Sequence, residues 1–196
     1  MKRSVVTLIV IAVIALIAYS SFKGAYNSMV TKEESVESAW AQVENVYQRR
    51  ADLIPNLVNT VKGAANFEKE TYTAVTEARS KASQITVDPK NLTPEKIQEF
   101  QAAQSQLSQA LGRLMMVTEN YPQLKANQNF LDLQAQLEGT ENRITQERRK
   151  FNEVVQDFNT YIRKFPNNLM SGMFGFEKKG YFEAEKGSEK APSVNF

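Results

Sequence analysis

Apolar residues recur along most of this chain in alternating steps of three and four, the spacing typical of one buried face of a bundled α-helix. The first run covers about residues 26–61, and Arg50 interrupts its apolar face with a charge. Pro55 lies inside this run. We expect it to kink the helix, because proline removes the hydrogen bond to the carbonyl of Ala51 and crowds that carbonyl. The apolar positions of the face are Val36, Trp40, Val43, Tyr47, Ile54, Leu57 and Val61.

Three further runs repeat this spacing and complete the predicted helices. The second covers 67–85 and is rich in small residues, the third covers 94–120, and the fourth covers 127–165. Thr93 is a suitable N-cap for the third helix, with Pro94 at its first position. The second face is Phe67, Thr71, Ala74, Ala78, Ala82 and Ile85. The third is Ile97, Phe100, Gln104, Leu107, Leu111, Leu114 and Thr118. The fourth repeats every seventh residue, at Phe130, Leu137, Ile144, Phe151, Phe158 and Phe165.

Four amphipathic runs joined by short loops, at 63–66 and 87–92 among others, predict an all-α protein with a long antiparallel four-helix bundle over residues 24–165. Strand-like alternation is missing from the sequence. In this topology the first and fourth helices run in opposite directions. Arg50 should then lie level with residues 138–142.

An apolar segment, residues 5–22, precedes the bundle and follows a short basic N-terminus, residues 1–4. Eighteen helical residues rise roughly 27 Å, close to the thickness of a bilayer's hydrocarbon core. We interpret the segment as an uncleaved transmembrane signal anchor in the lipid bilayer. A cleaved signal peptide ending near Ala18-Tyr19-Ser20 is the alternative. The cations Lys2 and Arg3 predict a cytoplasmic N-terminus and an extracytoplasmic body.

Composition excludes several functional classes. The chain has 196 residues and 42% apolar residues, with 8 glycines, 6 prolines and no cysteine or histidine. Disulfides, cysteine nucleophiles, zinc sites built on cysteine or histidine, and imidazole triads are therefore excluded. Lys2 and Arg3 account for the whole net charge of +2. The remainder is neutral overall, so nucleic acid is not an expected partner.

A polar cluster is predicted where the first and fourth helices meet. Buried charges are costly unless they are paired, so we expect Arg50 to pair with Glu138 or Glu141. The cluster could fix the register of the helices, or it could be a site for a partner or ligand. Acid–base catalysis by its carboxylates lacks a companion nucleophile or metal-ligand set. The cluster residues are Arg49, Arg50, Asp52, Glu138, Glu141, Asn142 and Arg143.

The C-terminal segment, residues 166–186, is again apolar and is followed by a short end at 187–196 that we expect to be flexible. The apolar segment could pack into a groove of the bundle, or it could contact lipid headgroups or a second copy of the chain. Its candidate contact residues are Leu169, Met170, Met173, Phe174 and Phe176.

Several long strings of this sequence resemble the LemA family of bacterial membrane-anchored proteins. They are QRRADLIPNLV at 48–58, ENYPQLKAN at 119–127 and LEGTENRI at 137–144, with shorter matches at 39–40, 161–163 and 175–176. The resemblance implies a single-pass membrane protein whose soluble part is a long helical bundle, with no established catalytic activity. Members are regarded as membrane-associated scaffolds or adaptors, and one branch works in magnetosome membranes.

Together these features predict a non-enzymatic helical scaffold or adaptor without cofactors, attached to the inner membrane of a bacterium. We expect it to bind other envelope proteins or itself. The alternative is a sensor or signalling adaptor in which a ligand at the level of Arg50 and Glu141 alters the bundle.

Overall fold

The computed structural model describes residues 3–63 and 68–184. These residues form helices and irregular segments but no strand, which confirms the predicted all-α class. The predictions for Lys2, the turn at 64–66, Phe67 and the end at 187–196 lie outside the described residues. The helices are α1 (Arg3–Lys62), α2 (Lys69–Gln84), α3 (Pro94–Thr118), α4 (Pro122–Lys125), α5 (Gln128–Arg163) and α6 (Asn167–Phe174).

Helix α1 joins the apolar N-terminal segment and the first helix of the body in one element of 60 residues. It continues through Gly24 and through Pro55, and at 1.5 Å per residue it is roughly 90 Å long. The side chains of residues 5–22 are exposed along its first part. This part of α1 is long and apolar enough to cross a membrane.

The body is assembled around α1, which packs against α5 and α2, while α2 packs against α3. Two ion pairs show how α1 and α5 are aligned. Lys32 pairs with Asp157, and eighteen residues further along α1, Arg50 pairs with Glu141. Residues late in α1 therefore face residues early in α5. Arg50 lies at the level of residues 138–142 of α5, as the sequence predicts.

The predicted faces of α1 and α3 are buried at every position. Thr93 caps α3 as predicted, since its side chain accepts a hydrogen bond from the backbone N–H of Lys96. In α2 the buried residues are Val75 and Ala82, whereas Ala74 is exposed. This helix is in contact with both α1 and α3, so its buried surface is not the single small-residue face of the prediction.

The prediction for Phe165 is wrong. Helix α5 ends at Arg163, and the Phe165 side chain is 81% exposed, although it continues the seven-residue repeat. Pro166 explains the difference, because a proline disfavours helical backbone in the residue before it and cannot donate to the helix.

Buried apolar residues form two clusters along the body. The proximal cluster lies nearer the apolar segment 5–22 and is centred on Trp40, Phe100, Phe151 and Phe158. The distal cluster is centred on Leu57, Leu107, Leu114 and Phe130. Between the two clusters lie buried polar side chains, among them Arg50, Gln104 and Thr140.

Candidate functional site: a polar layer between two apolar clusters

Arg50 is the centre of the polar layer and is only 1% exposed. Its Nη1 atom donates to Glu141 Oε1 at 2.6 Å and to Ser108 Oγ at 2.8 Å. Its Nη2 atom donates to Gln104 Oε1 at 2.6 Å and to the Gln104 carbonyl at 3.3 Å. One guanidinium thus ties α1 to both α3 and α5.

The surroundings of Arg50 make its charge tolerable inside the body. The Tyr47 ring lies 5.0 Å from the guanidinium carbon, a distance at which a cation is attracted to an aromatic face. Glu141 neutralises the charge from a half-exposed position, so its own carboxylate keeps contact with water. Arg50 Nε is buried and has no acceptor among the residues that the structure describes, so the layer retains a desolvation cost.

Burial raises the pKa of the Tyr47 hydroxyl above its ordinary value, because the phenolate would lose its hydration. Arg148 and Arg50 act in the opposite direction, since their positive charges favour the phenolate. Burial is the larger influence. Tyr47 therefore remains neutral at physiological pH and contributes an aromatic face and a hydroxyl rather than a charge.

The structure contains the predicted ion pair of Arg50 with Glu141. The other five predicted cluster residues lie on the surface around it. Asp52 accepts a hydrogen bond from Gln48 at 2.7 Å, and Glu138 accepts one from Gln134 at 3.1 Å. Arg49, Asn142 and Arg143 are exposed. The cluster is thus a buried pair with an exposed polar margin, and not one assembled site of seven residues.

Two partners of Arg50 were missed by the cluster prediction because they come from α3. Gln104 is 8% exposed and lies on the otherwise apolar face of α3, as Arg50 does on α1. Because each of these two apolar faces carries one polar residue, the sequence could have predicted that Arg50 and Gln104 bind each other. Ser108 is four residues further along the same helix and carries no comparable signal.

A second polar contact lies one residue after Arg50. Pro55 has no backbone N–H, so it cannot donate to the carbonyl of Ala51 one turn earlier. Arg79 of α2 supplies the missing donor, with its Nε atom 2.7 Å from that carbonyl oxygen. The proline therefore creates an acceptor on α1 to which α2 binds, and α2 is held beside the Arg50 layer.

A groove opens beside the buried pair. It has a volume of about 540 Å³. Its walls carry Ser108 and Glu141, both partners of Arg50, together with apolar residues such as Leu111 and Leu137. Glu138 and Asn142 of the predicted cluster also line it. The groove therefore gives solvent and small polar molecules access to the exposed side of the pair.

The described residues hold no group of three or more side chains suited to a metal ion. Within the layer, the strongest donors and acceptors already bind each other at distances of 2.6–2.8 Å. The layer holds the Arg50 guanidinium in one position, and this fixes the relative positions of α1, α3 and α5.

The predicted contact residues of the C-terminal segment fall into two groups. Leu169, Met173 and Phe174 are 61%, 75% and 50% exposed, whereas Met170 is buried. Phe176 is half-buried, and its ring lies 5.8 Å from that of Tyr26 on α1. Helix α6 thus places three exposed apolar side chains beside α1. A cleft of about 520 Å³ separates α6 from residues 18–25 of α1.

Comparison with known proteins points in one direction. A family model described as the LemA family matches residues 39–196. The chain is 26% identical to the protein LemA of Metamycoplasma hominis, over 87% of this chain and 74% of that protein. It is 26% identical to the magnetosome protein MamQ 2 of Paramagnetospirillum magneticum, and 24% identical to the magnetosome protein MamQ of Magnetospirillum gryphiswaldense. Both of these matches cover 95% of this chain and 75% of the relative.

Proposed function

This chain belongs to the LemA family, and on that premise we propose that it is a membrane-tethered, non-enzymatic helical scaffold of the bacterial cell envelope. It acts through protein–protein contacts, including contacts between its own copies. Its soluble part is an antiparallel four-helix bundle of α1, α2, α3 and α5, and the apolar beginning of α1 is its anchor in the lipid bilayer.

The observation that carries this proposal is the continuity of α1. The apolar segment 5–22 and the helix that organises the body are one element, with no loop between them. A body attached in this way has a fixed direction relative to the membrane. A rigid, directed body suits a protein that holds partners in place, whereas a flexible linker would leave the body free to turn.

The side-chain chemistry supports a role without catalysis. The chain has no histidine or cysteine, and its most buried charge, Arg50, is bound by Glu141 and Gln104. Catalytic sites usually leave a nucleophile, base or metal position free for a substrate. The names of the relatives mention no enzymatic activity.

We place the body on the extracytoplasmic side of the inner membrane, because Lys2 and Arg3 precede the apolar segment. In this orientation α6 lies close to the outer headgroup region. Its exposed residues Leu169, Met173 and Phe174 would meet either lipid or a neighbouring copy.

The proposal is tested by chemical crosslinking in intact membranes, followed by isolation of the tagged full chain and identification of what is attached. We expect discrete species made of several copies, or of this chain with a small set of membrane proteins. The double substitution L169S/M173S should weaken these species while the helix content and the melting temperature are unchanged. The double substitution M116S/L131S removes exposed apolar side chains elsewhere and serves as the matched control. If this chain forms no more crosslinked products than a background membrane protein does, the proposal is contradicted.

A second candidate function, a ligand-responsive sensor, is favoured by the groove beside Glu141. Its mixture of apolar and polar walls and its volume of about 540 Å³ suit a small polar molecule. A ligand that binds Glu141 there would compete with Arg50 and loosen the layer. This alternative is tested by screening metabolites for a change in thermal stability that the Glu141→Gln substitution abolishes. Identical responses of both proteins would reject it.

A further inference from the structure

Residues 176–184 form an extended segment that lies against α3 and α5 and has backbone contacts unusual for a surface tail. Asn159 binds both backbone groups of Lys179, accepting from its N–H at 2.9 Å and donating to its carbonyl at 2.9 Å. Asn152 binds the N–H and carbonyl of Phe182 in the same way, at 2.9 and 2.8 Å. Gln101 does so for Glu183, at 3.1 and 2.8 Å.

Three side-chain amides thus each bind one residue of the segment through its N–H and its carbonyl. Such contacts satisfy the backbone of an extended chain that has no neighbouring strand. These hydrogen bonds recognise the backbone of the segment and not its side chains. Helices α3 and α5 therefore form an extended-peptide groove, in which residues 176–184 are the bound peptide.

Side-chain pockets give this groove specificity. The Phe182 ring lies among those of Trp40, Phe100 and Phe151, with centroid distances between 5.5 and 6.4 Å. The Arg148 guanidinium carbon is 4.8 Å from the ring centroid. A segment that binds in this groove therefore needs an aromatic side chain at the position of Phe182.

Gly180 passes so close to the start of α3 that it admits no side chain. A Cβ atom there would lie 2.7 Å from the Cα of Pro94. Its own N–H donates to the carbonyl of Leu92 at 2.8 Å. The preceding Lys179 is 5% exposed and pairs with Glu33 of α1 at 2.7 Å. The segment is thus recognised by α1, α3, α5 and the loop before α3.

The segment is connected to the rest of its chain by a junction that can turn. Gly175 ends α6 with φ of 76°, and glycine adopts other backbone angles at little steric cost. The segment could leave its groove by rotation at Gly175 without the unfolding of a helix. An identical segment from another copy would then find the same clamps and pockets.

We infer that residues 176–184 are exchanged between copies of this chain, so that the segment of one copy occupies the α3–α5 groove of its neighbour. The inference rests on the proposed function, because it names the contact by which copies of the scaffold assemble. Copies anchored in one membrane with one orientation have a high effective concentration, which favours exchange of an element that fits equally well in either copy.

The absence of cysteine from the chain makes a direct experiment possible. Gln98 Nε2 and Glu183 Oε1 are 3.5 Å apart across the groove, and both residues are exposed. The full chain with Gln98→Cys and one tag is produced in the same membrane as the full chain with Glu183→Cys and another tag. A short thiol-reactive crosslinker is added, and products carrying both tags are measured. A chain with both substitutions gives the crosslink expected within one copy.

Exchange predicts a product with both tags. It also predicts that Gly180→Val in the donor chain lowers this product more than about tenfold, because the added side chain would collide with Pro94. Phe182→Ala in the donor chain is a second variant that empties the aromatic pocket and should act in the same direction. A Lys32→Cys chain with an Asp157→Cys chain is the matched control. This pair joins α1 to α5, so it contains no residue of the segment and should crosslink only within a copy.

Three results would overturn the inference. They are a 98–183 crosslink found only within single copies, a two-tag product that Gly180→Val leaves unchanged, and an equal two-tag product from the 32–157 pair. The scaffold proposal has a separate readout, the larger species formed by a general amine-reactive crosslinker. If those species persist while the 98–183 pair crosslinks only within copies, exchange is wrong and the scaffold stands. If they are missing as well, both fail.

Discussion

At the scale of single residues, the alignment of the body depends on one buried cation. Arg50 binds Glu141, Gln104 and Ser108, so a shift of α3 or α5 along α1 would leave a guanidinium without partners between two apolar clusters. A polar layer of this kind adds little net stability, since desolvation offsets the attraction. Its larger effect is to disfavour every other register of the helices.

This role predicts unequal effects for two neighbouring carboxylates. Glu141→Ala should lower the free energy of unfolding by about 1.5–3 kcal/mol, because it leaves the buried charge of Arg50 without its counterion. Glu138→Ala is the matched control, since Glu138 is exposed and accepts a hydrogen bond from the half-buried Gln134 of its own helix, and should change stability by less than about 0.5 kcal/mol. Denaturant unfolding of the full chain in detergent, followed by the fluorescence of the single tryptophan, measures both. Equal losses for the two variants would contradict a special role for Glu141.

Tyr47 gives the layer a dependence on alkaline pH. Burial raises the pKa of its hydroxyl in the folded protein, so the unfolded chain releases this proton at lower pH than the folded one. The stability that neutral Tyr47 gives the folded protein is fully present below the ordinary tyrosine pKa of about 10, and it is lost as the pH rises above that value. Tyr47→Phe has no such proton. The stability of the unmodified protein relative to this variant, measured from pH 8 to pH 11, should therefore stay constant up to about pH 10 and fall above it. A constant difference across that range would refute the assignment.

At the scale of elements, α2 is attached to α1 through the carbonyl that Pro55 leaves free. Arg79→Ala should lower the free energy of unfolding by about 1–3 kcal/mol, because the carbonyl of Ala51 then lacks a charged donor. Pro55→Ala restores a backbone N–H that can bind the same carbonyl. In that background Arg79→Ala should cost at least about 1 kcal/mol less, and a double-mutant cycle measures the difference. Additive effects would show that the proline and the arginine act independently.

The long helices α1, α3 and α5 were predictable from spacing because each keeps the same side buried along most of its length. The faces of α1 and α3 are buried as the sequence predicts, and Thr93 caps α3. Phe165 fails for a local reason, since Pro166 ends the helix before the repeat does. The prediction for Ala74 is wrong, and Val75 is buried instead, because α2 lies between two helices and a periodic pattern cannot show how far such a helix is rotated.

The polar site was predictable only in part, because pairing depends on three dimensions. Opposed directions of α1 and α5 placed Arg50 near Glu138 and Glu141, but the choice of Glu141 depends on which side of α5 faces inward. Gln104 joins from α3, for which no level could be inferred. The segment 176–184 has no helical periodicity, so its position in the groove has no signal in a pattern of apolar residues.

At the scale of the whole molecule, α1 connects the bilayer to the body without interruption. Its first part is exposed and apolar, and its later part carries the faces of the two apolar clusters and the Arg50 layer between them. Movement of the anchor would therefore be transmitted directly to the body. This continuity is the property that separates a directed scaffold from a domain held on a flexible tether.

The most direct test of this account is a cysteine scan of α1 in intact cells, using the full chain, which has no cysteine of its own. Single cysteines along residues 5–62 are treated with a maleimide that cannot cross the inner membrane. We predict no labelling over 5–22, slow labelling at buried Val36, Trp40 and Val43, and fast labelling from outside at exposed Ser38, Gln42 and Asn45. Labelling throughout 5–22, equal rates at the buried and exposed positions, or labelling of the body only after the cells are opened would contradict the account.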